Sequence, residues 1–216
     1  MTSNALRAEP TRVAVFAKAP VPGQVKTRLA ALLGDDGSAA LHAALTERAL
    51  ATAAAARLGD VELWCAPDTS HAFFRDCAER FGAKLRAQPE GDLGARMNAA
   101  FERAHAARRP LIVTGSDCPA LTVEDLCAAA DALATHDAAF VPAEDGGYVL
   151  VALARPVPGL FDGIDWGTGR VMEATRERLQ AAGARGKMLR TLWDVDRPED
   201  YARLQGAGLA VREALS

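Results

Sequence analysis

The chain has 216 residues, half of them hydrophobic, and a formal net charge of −3 with no long basic run. That is enough apolar material for one substantial core, so a single domain over residues 1–216 is expected, its folded body at about 12–205. A nucleic-acid partner is excluded by the charge, a signal peptide by the lack of an apolar segment in residues 1–10, and a membrane span by the shortness of the Ala-rich stretch at Ala49–Ala56.

Arg12 to Ala17 reads as a first buried strand, and Lys18 to Val25 as a loop, because Pro20, Pro22 and Gly23 exclude regular structure. A short helix opens at Lys26 and ends at Gly34. A long one runs from Ser38 to Leu58, with Leu41, Leu45 and Ala49 on one face. Val61–Cys65 is a strand. Ser70–Phe81 is a helix burying Phe73, Phe74, Cys77 and Phe81, and Lys84–Ala87 is a strand. Gly91-Asp92-Leu93-Gly94 leads into a helix to about Ala107, with Leu93, Met97, Ala100, Phe101 and Ala104 on its apolar face.

Leu111-Ile-Val-Thr-Gly115 follows, an uncharged run suited to a strand covered on both faces. Thr122 and Asp125 form a capping box for a helix to about His136. Ala138–Pro142 and Tyr148–Leu153 are strands, Gly169–Ala182 a helix capped by Thr168, and Met188–Trp193 a last strand. Pro198 suits the first turn of a final helix, Glu199–Gln205. The alternation of strands and helices implies an α/β protein, a mainly parallel sheet between helices. Cys65, Cys77, Cys118 and Cys127 lack CxxC spacing and read as reduced thiols in a cytoplasmic protein. His42, His71, His105 and His136 are isolated and read as surface or packing residues.

The residues that can carry chemistry cluster at strand ends. In a parallel α/β sheet, ligands bind outside the carboxyl ends of the strands. Asp117, in Gly115-Ser-Asp-Cys-Pro119, falls there; it either holds a divalent cation or caps a turn. Lys18, Lys26 and Arg28 flank the turn at Pro22-Gly23. Such a basic loop binds phosphate or is simply solvated. It is not a P-loop, since Val25 stands where glycine must precede the lysine.

Gly91, Asp92, Gly94 and Arg96 make a second loop-to-helix junction, open to a ligand or an ordinary helix start. Asp145-Gly146-Gly147-Tyr148 is a hairpin signal that also suits gripping a polar substrate. Trp166-Gly167-Thr168 offers an aromatic face to a sugar or base, or a packed Trp before a cap. Asp196 reads as an N-cap with Glu199 at the capping-box position. The alternative is that Asp196 faces Asp117. Two carboxylates about 4 Å apart repel by roughly 4 kcal/mol at an effective dielectric of 20, and so need a cation.

Six motifs occur in order: Lys18-Ala-Pro-x-Pro-Gly-x-Val-Lys-Thr-Arg-Leu29, Gly91-Asp-Leu-Gly-x-Arg-Met97, Gly115-Ser-Asp-Cys-Pro119, Asp145-Gly-Gly-Tyr148, Trp166-Gly-Thr168 and Asp194-x-Asp-x-Pro-Glu-Asp-Tyr201. Together they resemble the bacterial GT-A-like nucleotide-diphospho-sugar transferases, some assigned as glycosyltransferases of arsenosugar biosynthesis. The likeness runs from Val13 to about Leu204. The chain is more distantly similar to molybdenum-cofactor and phospholactate guanylyltransferases.

The resemblance implies a GT-A (Rossmann-like) three-layer α/β/α sandwich using Mg²⁺ or Mn²⁺. It implies that Asp117 and Asp196 hold the metal. Lys18, Gly23, Lys26, Arg28, Gly94 and Arg96 would bind phosphates or nucleotide. Gly146, Gly147, Tyr148, Trp166 and Thr168 would hold sugar or acceptor, and Asp145 would be the general base. Two departures stand out: Pro20-Val21-Pro22-Gly23 replaces a Gly-rich first loop, and the usual DxD is reduced to Asp117. The expected reaction is glycosyl transfer from a nucleotide-diphospho-sugar to a small-molecule acceptor. The alternatives are nucleotidyl transfer from a nucleoside triphosphate, releasing pyrophosphate, and a catalytically silent nucleotide-binding protein.

Overall fold

The computed structural model describes residues 10–208. The expectation that the chain starts without a signal peptide rests on residues 1–10, of which 1–9 lie outside the described residues. Among the described residues, seven strands are interspersed with six helices: β1 (Arg12–Lys18), α1 (Ala30–Ala56), β2 (Val61–Ala66), α2 (Ala72–Phe81), β3 (Lys84–Ala87), α3 (Leu93–Ala106), β4 (Leu111–Gly115), α4 (Val123–Ala132), β5 (Ala138–Pro142), β6 (Tyr148–Leu153), α5 (Val171–Ala181), β7 (Gly186–Met188) and α6 (Pro198–Gly206).

They form one sheet in the order β3-β2-β1-β4-β6-β5-β7. Every pairing is parallel except the two made by β6, which runs antiparallel between β4 and β5. The sheet is therefore mixed but mainly parallel. Side chains alternate across it as strand geometry requires. Val13, Val15 and Ala17 point to one face, where Ala49 and Leu50 of α1, Phe74 of α2 and Leu126 of α4 cover them. Ala14 and Phe16 point to the other, under Met97 and Phe101 of α3 and Met172 and Leu179 of α5. The result is a three-layer α/β/α sandwich. A smaller core joins Leu29, Leu41 and Leu45 to Trp193, Val195 and Leu204 of the C-terminal segment. Among the described residues no helix is long and apolar enough to cross a membrane.

Several local expectations shift. Lys26 opens a 3-10 turn (Thr27–Leu29) that runs straight into α1, and Gly34, with non-helical backbone (φ 71°), interrupts the helix where its end is expected before the long helical run continues. Leu93 is not on the buried stripe of α3; it stands 44% exposed, and Gly94 takes the inward position. Thr168 does not cap α5: its hydroxyl donates to the carbonyl of Asp165, and the helix starts after Arg170. The last strand is earlier and shorter than Met188–Trp193. The chain still follows β5, with Leu189 N–H on Phe140 and Leu192 N–H on Pro142, but Arg190 between them turns out to reach Asp125. The capping box of Thr122 and Asp125 is present as expected.

Candidate active site

The strand order reverses between β1 and β4, which leave in opposite directions along the sheet. That switch point opens a crevice at the strands' carboxyl edge. Three segments meet there: the loop after β1, the Gly115–Pro119 turn after β4, and Asp194-Val195-Asp196 near the C-terminus. The backbone closes the arrangement, because Val195 N–H donates to the carbonyl of Asp117 at 2.9 Å.

At the centre lies Lys26. Its backbone is left-handed (φ 48°), an uncommon state for a residue with a Cβ. Its side chain is only 3% exposed. The ammonium donates to the carbonyl of Val195 at 2.5 Å, sits 2.6 Å from Asp117 Oδ1, and reaches Asp196 Oδ1 at 3.2 Å. Burial works to discharge this lysine, but Asp117 and Asp196 outweigh it and hold its pKa above the usual value. Burial likewise opposes charge on Asp117, and the Lys26 ammonium overcomes it, so its pKa is lowered. Arg28 reaches the other oxygen of Asp196 at 3.4 Å.

Asp196 is thus not the N-cap of α6. The cap falls one residue later, at Arg197, and Asp200 serves instead of Glu199: its Oδ2 accepts from Asp196 N–H at 3.0 Å and Arg197 N–H at 2.8 Å. This frees the Asp196 side chain for the site.

Two adjoining cavities share Asp117 as a wall. The larger, about 430 Å³, is lined by Lys18, Lys26, His42, Gln88, Arg96 and Ser116. Arg96 is steered by Gly91 O (3.0 Å) and Gln88 Oε1 (3.3 Å), and Gln88 is anchored in turn to the carbonyls of Ala17 and Trp64. The smaller, about 240 Å³, is lined by Leu93, Asp145, Tyr148, Trp166, Thr168 and Asp194. Arg28, Asp145, Asp194 and Asp196 border a further open cavity beside it.

The remaining expected residues divide. Asp145 is exposed at the cavity, with Oδ1 accepting from Gly147 N–H at 2.8 Å. Tyr148 offers its ring, packed edge-on against Phe140 and Trp166. Its hydroxyl is buried without a well-directed partner, and burial holds the phenol protonated. Gly23 lines neither of the two main cavities. Gly94 and Gly146 are also off those walls, and what they accommodate is protein. A Cβ at Gly94 would lie 2.6 Å from Phe161 O, and one at Gly146 would collide with Gly169 O.

Two residues escaped the sequence reading. Asp194 had been noted only as a neighbour of Asp196. Burial, then the charges of Asp145, Asp196 and Asp117, push its carboxyl up to about 6. His42 is a buried packing residue as expected, but it also lines the larger cavity. Its Nε2–H donates to Lys18 O at 3.0 Å and its Nδ1 lies 3.9 Å from Asp117. Burial lowers its pKa despite Asp117, so the ring is neutral. Neither has a local sequence signal. Cys118 is no nucleophile, since burial pushes its thiol to about 12.

The donor set suits a small hard cation. Mg²⁺ is commonly bound by one or two carboxylates plus phosphate oxygens and water. Here two aspartates converge on one cation-sized point beside an open, basic cavity, and Asp117 Oδ1 is buried without a directed hydrogen bond. Among the described residues no cluster of three or more acids, His or Cys forms a closed cage.

Fold and site together define a GT-A-like sandwich with a crevice for an anionic ligand. The chain belongs to the family described as "Uncharacterized protein conserved in bacteria (DUF2064)", whose model matches residues 49–168. It is similar to a candidate nucleotide-diphospho-sugar transferase from Desulfovibrio desulfuricans G20, with 29% identity over 96% of this chain and 93% of that one, and a TM-score of 0.84. Two further structures share the fold alone. One is a 4-diphosphocytidyl-2C-methyl-D-erythritol synthase from Anaerococcus prevotii DSM 20548 (10% identity, 91% and 100% covered, TM-score 0.59). The other is Rv0371c from Mycobacterium tuberculosis H37Rv in complex with manganese (18% identity, 91% and 98% covered, TM-score 0.53). No curated protein sequence matches the chain.

Proposed function

We propose that this protein is a metal-dependent transferase of nucleotide-diphospho-sugars, moving the sugar to a small-molecule acceptor. The observation that carries the reading is the convergence of Asp117 and Asp196 at the switch point, between a basic cavity and an aromatic, acidic one. The name of the Desulfovibrio relative supports the same substrate class.

Lys18 and Arg96 line the cavity suited to the nucleotide and its diphosphate. Asp117 and Asp196 would hold Mg²⁺ or Mn²⁺, which when bound stabilises charge on the leaving diphosphate. The Trp166 and Tyr148 rings line the neighbouring cavity for sugar or acceptor, with Thr168 and Gly147 on its wall. Asp145 stands at that cavity with its second oxygen unengaged by Gly147, in place to take a proton from an acceptor hydroxyl. Gly23 and Gly146 serve by shaping the loops that carry these groups, and Gly94 by letting α3 pack closely on Phe161 and Trp166. The working unit is a single domain. Free Cys65, Cys77, Cys118 and Cys127 suit a cytoplasmic setting.

Calorimetry with Mn²⁺ and a panel of nucleoside diphosphates and nucleotide-sugars tests the reading. Asp117→Asn is expected to weaken Mn²⁺–nucleotide binding at least ten-fold, and turnover to release nucleoside diphosphate. Undiminished binding in the variant overturns the metal site; pyrophosphate release from triphosphates makes the enzyme a nucleotidyltransferase instead.

A further inference from the structure

We infer that the Lys26 ammonium is the resident counter-ion of the Asp117–Asp196 pair, and that a divalent cation enters only by displacing it toward the phosphates of a bound nucleotide. This rests on the proposed metal role of the two aspartates and adds an order of events to it.

The geometry leaves Lys26 no capacity for a ligand in the present state. A lysine ammonium has three N–H donors. Val195 O and Asp196 Oδ1 accept hydrogen bonds from it, and Asp117 Oδ1 lies against it at 2.6 Å as an ion-pair partner, so the ammonium is surrounded by the protein's own oxygens. The side chain is almost wholly buried, and its left-handed backbone fixes the direction of the stem. The basic loop was expected to meet phosphate; its central lysine instead neutralises the two acids.

Charge decides against joint occupancy. A divalent cation repels a neighbouring ammonium twice as strongly as a second unit charge would at the same distance. The same aspartate oxygens therefore cannot serve both at once. A displaced ammonium must find new acceptors, since an uncompensated buried charge is expensive. The cavity that Lys26 lines also carries Lys18 and Arg96, so an anion seated there offers those acceptors. Nucleotide phosphates and the divalent cation thus bind as a pair, and free cation is held off by Lys26.

Lys26→Met removes the charge and keeps the stem. Titration of Mn²⁺ alone, followed by the free-ion electron paramagnetic resonance signal, is expected to show at least ten-fold tighter binding to Lys26→Met than to the wild type. The gain should vanish in Lys26→Met/Asp117→Asn. Equal or weaker binding to Lys26→Met overturns the inference, as does a gain that survives the Asp117 substitution. Should Lys26→Met fail to fold, the wild-type enzyme supplies the readout. Its Lys26 ammonium resonance is expected to shift or lose protection on adding Mg²⁺ with UDP or GDP, and an unchanged resonance at saturation overturns the proposal. These arms read cation binding without turnover. A transferase that releases nucleoside diphosphate but shows no Lys26 effect refutes the displacement alone, and the converse result refutes the reaction alone.

Discussion

Val195 donates its backbone N–H to the carbonyl of Asp117 at 2.9 Å, and that one bond sets the C-terminal segment against the turn after β4. Because side chains alternate along an extended segment, fixing Val195 sends it into the core while Asp194 and Asp196 face the crevice. These two acids are placed by main chain, and the side chains of α6 refine the placement.

Asp200 is the refining residue. It accepts from two successive backbone N–H groups, of Asp196 and Arg197, yet touches neither the cavity of Lys18 nor Lys26. Asp200→Ala is expected to cost about 1 kcal/mol as a lost cap, lowering Tm by about 2–4 °C for a chain of this size. It should also weaken Mn²⁺–nucleotide binding several-fold, because Asp196 loses its backbone anchor. Asp200→Asn, which keeps an acceptor, should recover most of both. Loss of stability with unchanged binding would show that Asp196 is positioned without this cap.

The comparison of sequence with structure follows from the same residues. Runs such as Ala138–Pro142 and Tyr148–Leu153 declared themselves as strands to the residue, because burial on both faces leaves no room for polar interruption. Asp117 was legible as a strand-end acid for the same reason. The start of α6 was not. Asp196-Arg-Pro-Glu199 satisfies the local capping rule, but Pro198 equally suits the first position of the register one residue on, and the choice is made by Asp117 and Lys26, which hold Val195 and are distant from it in sequence. His42 was read as packing, and its second role depends on α1 passing under the crevice, which no local spacing encodes. Gly94 looked like room for a ligand because sequence cannot tell whose atoms fill the space beside a glycine.

Asp194 carries a pH signature. Its folded carboxyl is pushed up to about 6, first by burial and then by the neighbouring aspartates, above the unfolded value of about 3.9. Between those values the native state holds a proton that the unfolded chain has released, so stability falls as pH rises through about 4 to 6. Above that window the penalty is complete. Asp194→Asn should therefore be stabilising near pH 7.5, by about 1 kcal/mol after allowing for partial exposure, and near neutral in effect at pH 4. Urea unfolding at the two pH values measures this; an equal gain at both would assign the effect to packing instead.

The Asp125–Arg190 pair has the opposite sign. Arg190 grips both Asp125 oxygens, at 2.5 and 2.6 Å, and so pins the segment after β7 to the start of α4. Burial would raise the Asp125 pKa, but Arg190 and the Thr122 hydrogen bonds outweigh it and the net shift is downward. A lowered carboxyl contributes stability above its unfolded pKa and loses it as pH falls through the folded one. Asp125→Asn keeps a capping acceptor and removes the charge. It should cost about 2 kcal/mol near pH 7, less than for a fully buried pair, since Asp125 is buried but Arg190 stays 55% exposed. The gap to wild type should close below about pH 4; a constant gap would mean that geometry rather than charge is responsible.

Gly94→Ala sets two effects against each other. Replacing glycine by alanine inside a helix ordinarily gains about 1 kcal/mol, because alanine loses less backbone entropy. At this position, near the start of α3, the new methyl would stand 2.6 Å from Phe161 O and 3.1 Å from the Trp166 ring. A carbonyl cannot yield as a flexible side chain does, so α3 must shift away from the Phe161–Trp166 segment, at a cost of about 1–3 kcal/mol as for other overpacked sites. Steric cost wins, and a net loss of about 1 kcal/mol is expected by urea unfolding. The same shift moves Arg96, two residues along the helix, and tilts Trp166 at the neighbouring cavity. Nucleotide binding should therefore weaken although position 94 lines neither main cavity. A variant with raised stability and unchanged affinity would show that the Phe161–Trp166 segment gives way freely, and that the packing of Trp166 on α3 does not set the shape of the site.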